Sequence, residues 1–133
     1  MMRILQRLRK DAAATATESN EAPLQGFRLD CGAALDGRLS YGSVTFLQPM
    51  KILEARDLLD RMVDLIARGV RHWEFNMTQL AGCDSTTIGS IIQAHGLLKR
   101  ESGSMHVRLK KRSPALQAMR QAKVDRYVRI FEA

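Results

Sequence analysis

The chain has 133 residues, 45% of them hydrophobic, 26% charged and only 5% aromatic, with a net charge of +7. That is one domain's worth of ordinary globular composition, with a core built from Leu, Ile, Val, Met and Ala rather than from rings. No run of apolar residues is long enough to span a bilayer, and the start, Met1 to Asp11, is too interrupted by charge to be a secretory signal, so a cytoplasmic location is expected.

Residues 1–10 can form a short cationic amphipathic helix, with Met1, Ile4, Leu5 and Leu8 on one side. A helix this short is marginal in water on its own, so it needs the domain, a partner or a lipid surface to rest on. Residues 11–23 are small and polar, end in Pro23 and read as a linker. The domains expected are therefore 1–25, a cationic segment with a flexible linker, and 26–133, the folded unit.

The folded unit opens with Phe27, Leu29 and Cys31 alternating with Arg28 and Asp30, which is strand periodicity. Asp36-Gly37 is a turn signal, and residues 39–47 form a second alternating, β-branched strand, closing a hairpin. Lys51 to Arg68 reads as a helix whose apolar stripe is Ile52, Ala55, Leu59, Met62, Val63 and Ile66, with Arg61 among the residues facing elsewhere. Gly69 follows as a helix terminator. Arg71 to Met77 alternates as a strand. A second helix runs from about Thr86 to Glu101 with the stripe Ile88, Ile91, Ile92, His95 and Leu98, and Ser102-Gly103 ends it. Met105 to Leu109 is a strand, and Ser113-Pro114 starts a third helix that ends near Ala122. Tyr127 to Phe131 closes the chain as a strand. The order β-β-α-β-α-β-α-β demands parallel pairs through crossovers, with one antiparallel strand at the start. Whether the helices cover one face of the sheet or both is open.

Most catalytic chemistry lacks its residues. Cys31 and Cys83 are far apart and read as free thiols. The three histidines, His72, His95 and His106, have no metal-ligand spacing, and neither a Gly-rich phosphate loop nor a nucleophile elbow is present. No metal and no cofactor is expected, and the chain does not read as an enzyme. Between Lys99 and Arg129 ten Lys and Arg face only Glu101 and Asp125. Such a segment suits an acidic partner, but with Tyr127 as its one aromatic it is a poor nucleic-acid site.

One segment stands out. Asp84, Ser85, Thr86 and Thr87 cluster where a helix begins, just after a strand. Capping explains one such residue and leaves the others to explain. A phosphate on a hydroxyl there would meet free N–H donors and add negative charge beside Asp84, which is a switch by charge alone.

Residues 38–131 resemble a STAS domain, the module of bacterial anti-sigma factor antagonists. The family signature D-S-S-G-(L/I)-G at the start of the second helix stands here as Asp84-Ser85-Thr86-Thr87-Ile88-Gly89, with Thr87 in place of the first glycine. The preceding strand, the Ser-Pro helix start and the final strand ending Arg129-Ile130-Phe131 occur in the same order. The resemblance implies a STAS-like α/β fold, a small mostly parallel mixed sheet of about five strands with about three helices. It implies Ser85 as a phosphoacceptor, with Thr86 as the alternative. It implies partner binding through Asp84, Ser85, Thr86, Thr87, Ile88 and Gly89, the partner being a serine kinase acting as anti-sigma factor, or a serine phosphatase, in a partner-switching system that regulates transcription. The alternative is an accessory STAS subunit of a membrane transporter or signalling complex, with residues 1–10 touching the membrane.

Overall fold

The computed structural model describes residues 26–33 and 39–133. The cationic segment, the linker and the Asp36-Gly37 turn lie outside the described residues. The elements are β1 (Phe27–Ala33), β2 (Leu39–Phe46), α1 (Ile52–Ala67), β3 (His72–Asn76), α2 (Ser85–Arg100), β4 (Ser104–Leu109), α3 (Pro114–Gln121), a 3-10 turn (Val124–Arg126) and β5 (Arg129–Glu132). They form one five-stranded sheet in the order β1-β2-β3-β4-β5. β1 pairs antiparallel with β2, and every later pair is parallel.

Given this order, crossover handedness places the helices. Each of the three strand-helix-strand units steps one place in the same direction, and right-handed connections then put all three helices on one face. The strands report the same thing residue by residue. On β3, Trp73 and Phe75 are buried while His72 is exposed and Glu74 and Asn76 are half-buried. On β4, Met105, Val107 and Leu109 are buried while Ser104 and Arg108 are exposed. The question that periodicity left open is thus answered: a sheet covered on one side, with no described helix crossing the other.

The core lies between that covered face and the helices. Phe27, Leu29, Val44, Phe46, Trp73, Phe75, Met105 and Val107 come from the sheet, and Leu58, Met62, Ile91, Leu98, Leu116 and Met119 from the helices. Gly42 pairs with Trp73 across β2 and β3, and a Cβ at position 42 would fall 2.7 Å from the indole ring. The absence of a side chain at Gly42 lets the buried indole lie across the neighbouring strand, its Nε1 donating to the Val70 carbonyl at 2.9 Å.

Two apolar stripes are rotated from their expected positions. On α1 the buried residues are Leu58, Arg61, Met62, Leu65 and Ile66. Ile52 and Val63 are exposed at 66% and 51%, and Arg61 is buried. The physical reason is Arg61's long stem: its guanidinium lies over the Phe27 ring, 5.7 Å from the centroid, and pairs with Asp57 at 3.3 Å. On α2 the buried residues are Thr87, Ser90, Ile91, Ala94 and Leu98. Ile92 is 43% exposed, and His95 is half-buried, its ring near that of Tyr127. Small residues, not the Ile88–Ile92–His95 line, allow the close approach of α2 to the sheet. At the C-terminus, the 3-10 turn delays the last strand to Arg129, which leaves Tyr127 exposed outside it. Gly69, with φ of 104°, ends α1 in the left-handed region as expected. After α2 that region is taken by Ser102 instead, at φ of 60°.

Candidate functional site

In the parallel part of the sheet the loops at the carboxyl ends of the strands gather at one edge. The β2–α1 connection, the β3–α2 loop and the β4–α3 turn all open there, the usual place for function in open α/β sheets. The β3–α2 loop follows Asn76, whose side-chain oxygen accepts from the Thr78 N–H at 3.0 Å and the Thr78 hydroxyl at 2.7 Å. Leu80, buried, anchors the loop on the core. The loop delivers Asp84 as the N-cap of α2.

The four polar residues then divide. Asp84 is exposed, and its Oδ1 accepts from the Thr87 N–H at 2.9 Å, an N-cap bond. Thr87 is fully buried, and its Oγ1 accepts from the Met50 N–H at 2.9 Å. It therefore ties the start of α2 to the loop before α1. Thr87 sits inside the first turn with no left-handed backbone, so the position has no need of the glycine found in the STAS signature. Thr86 is half-buried, and its carbonyl accepts from the Ser90 hydroxyl at 2.8 Å. Ser85 is exposed and is the first residue of the helix. Its hydroxyl makes no hydrogen bond to the described residues, nor do the Ser85 and Thr86 N–H groups. The expected site residues are thus brought together, but two of them are committed to structure and Ser85 is left over. Ile88 and Gly89 follow on the helix, both half-buried.

The site also includes residues that the sequence reading placed elsewhere. The Met50–Thr87 bond sets Ile52 and Leu53, 66% and 74% exposed, close to the start of α2. Ile52 was expected in the core. The signal available was position: it is in the first turn of a helix that begins past the sheet edge, beyond Pro49.

Cys83, next to the cap, has its thiol pushed up to about 12 by burial and, second, by the Asp84 carboxylate. It is protonated at neutral pH and makes a poor nucleophile. On the uncovered sheet face Glu74 accepts from His106 at 3.0 Å and lies 3.6 Å from Arg108. Among the described residues no group of three or more His, Cys, Asp or Glu side chains could hold a metal ion. No described helix is long and apolar enough to cross a membrane.

The basic run 99–129 does not form one surface. Lys99 and Arg100 end α2 and Lys123 follows α3, at the edge of the sheet opposite to the Lys110-Lys111-Arg112 turn. Arg120 is occupied by Glu132 at 2.5 Å. A backbone-tracking nucleic-acid groove needs continuity that this arrangement lacks.

Two solved structures share the architecture. One is a candidate anti-sigma factor antagonist from Thermotoga maritima, 14% identical, with a TM-score of 0.57 over 79% of this chain and 86% of that one. The other is an uncharacterized protein of the DUF3478 family from Shewanella loihica with a SpoIIAA-like fold, 14% identical, with a TM-score of 0.54 over 85% and 89% of the two chains. The fold is SpoIIAA-like. No family model matches the chain, and no curated protein matches it. Within the SpoIIAA-like fold, the expected mixed sheet with three helices stands as read from the residues.

Proposed function

We propose that the domain is a phospho-regulated protein-interaction module of the anti-sigma factor antagonist type, with Ser85 as the phosphoacceptor. The observation that carries this reading is the state of Ser85: an exposed hydroxyl with no hydrogen-bond partner among the described residues, next to the Ser85 and Thr86 N–H groups, which have none there either. A phosphate there would gain from those donors and from the helix dipole, and would be repelled by Asp84. Thr86, half-buried, is the second candidate. The partner-binding surface would comprise Asp84, Ser85, Thr86, Ile88 and Gly89, with Thr87 holding it in place from below. Fold likeness to a candidate anti-sigma factor antagonist supports the class of function, as a binding module without chemistry of its own.

The test has two stages. Phosphopeptide mapping of the full chain from its own cells should find one phosphate, at Ser85, absent from Ser85→Ala. A kinase-type anti-sigma factor encoded beside it should bind Ser85→Ala and lose binding to Ser85→Glu. Equal binding of both variants overturns the reading. The second reading, an accessory subunit at a membrane, rests on residues 1–10, which lie outside the described residues.

A further inference from the structure

Between α1 and α2 runs an open groove of about 390 Å³, with Leu59, Asp60 and Val63 on one wall and Gly96, Leu97 and Arg100 on the other. Leu59 and Leu97 are half-buried, and Val63 is 51% exposed. Each wall thus joins apolar surface to one charge, and the two charges have opposite signs. Asp60 and Arg100 are both exposed, and neither forms an ion pair with another described residue.

Gly96 adds a shape to these charges. It lies deep inside a 16-residue helix, where glycine is less favourable than alanine. The fold does not require it: its backbone is not left-handed, and a Cβ there would meet nothing within 4 Å. The missing side chain leaves a recess in the α2 wall, and Val63 protrudes from the α1 wall. The two helices link parallel strands and so run in the same direction, with their starts tied by the Met50–Thr87 bond. Val63 and Gly96 each stand eleven residues past the first residue of their helix, and so at about the same level.

A knob, a recess and one charge of each sign on a single face make that face complementary to itself, which is what a two-fold interface needs. We propose that two copies of the chain pair through the α1–α2 face. Val63 of each copy packs toward the recess at Gly96 of the other, over Leu59 and Leu97. Asp60 of each copy meets Arg100 of the other, so both charges gain a partner twice over. Asp60 and Arg100 are staggered by about 10 Å along the helices, which the crossing of the two helix pairs and the long arginine stem take up. This contact uses none of residues 84–89, so it and the reading of Ser85 fail separately.

The test is sedimentation velocity of the full chain over a range of concentrations. The parent should pass reversibly from monomer to dimer and stop there. Asp60→Arg leaves two positive charges on the face and Arg100→Asp two negative ones, so each alone should weaken dimerisation by about tenfold or more. An equimolar mixture of these two variants should pair at least as well as the parent, and the double exchange in one chain should recover the dimer. Gly96→Gln fills the recess with a side chain whose Cβ meets nothing in the monomer, and should weaken the dimer without loss of monomer stability. A parent that stays monomeric at every concentration overturns the proposal and leaves the groove to a different protein. Growth beyond the dimer overturns it in favour of a head-to-tail contact, and a dimer indifferent to both single reversals in favour of another surface. Loss of the dimer in both single variants without recovery in their mixture also overturns it, because the two charges then face something other than each other.

Discussion

The backbone N–H of Met50 donates to the hydroxyl of Thr87 at 2.9 Å across 37 residues of sequence, and both groups are buried. This bond holds the starts of α1 and α2 side by side. Thr87→Val keeps the shape and removes the acceptor, leaving the Met50 N–H unpaired in the interior. The expected cost is about 1–3 kcal/mol. Urea denaturation measures it, and a loss below the scatter of surface substitutions would mean that water replaces the hydroxyl.

Asp84 and Ser85 are neighbours with opposite expectations. Asp84→Ala removes the N-cap bond to Thr87 and should cost about 1 kcal/mol, with Asp84→Asn recovering most of it. Ser85→Ala breaks no hydrogen bond and should leave the midpoint within about 0.5 kcal/mol of the parent. Ser85→Glu places an anion on the helix N-terminus and should be neutral or slightly stabilising. Any loss of partner binding in Ser85→Glu then reports on the interface, not on folding.

The chain's single tryptophan makes the Gly42 contact measurable. Gly42→Ala drives a methyl group to 2.7 Å from the buried Trp73 ring, so the ring or the strand must shift. Overpacking of this kind costs about 1–3 kcal/mol. A red shift of Trp73 emission should accompany it. An unchanged emission maximum with unchanged stability would mean that β2 and β3 separate more easily than their pairing suggests.

Cys83 titrates far above an ordinary thiol, pushed up to about 12 by burial first and Asp84 second. At pH 8 its thiolate is scarcer than in the unfolded chain by about three orders of magnitude. Alkylation should therefore be correspondingly slow in the native protein and ordinary in denaturant. The sign of the linkage is definite. Above about pH 9 the unfolded chain ionises this thiol while the native state keeps its proton, so stability is present below that pH and declines as pH rises toward 12. Cys83→Ala should flatten this part of the alkaline profile.

The order and type of elements were legible because apolar periodicity follows directly from backbone geometry. Strand alternation at Trp73–Met77 and the Ser113-Pro114 helix start needed no tertiary knowledge. The stripes of α1 and α2 were misplaced because burial there depends on neighbours. Arg61 is buried by lying on Phe27, a residue of β1 far away in sequence. Thr87 is buried where its hydroxyl meets Met50, a partner 37 residues away that no local pattern encodes, whereas Ser90 bonds only one turn back, to the Thr86 carbonyl. At the turn itself, the location was readable from four polar residues in a row. Their separate tasks were not, since Thr87's partner lies in a different loop.

Both ends of the described domain come out at the edge that carries Ser85. β1 runs antiparallel, so Gly26 sits beside Leu47 and Gln48 at the end of β2, its carbonyl accepting from both N–H groups. Ala133 pairs with Leu109 and Lys111 at the end of β4. A partner held at Gly26 or at Ala133 would therefore start from the same edge of the sheet as Ser85.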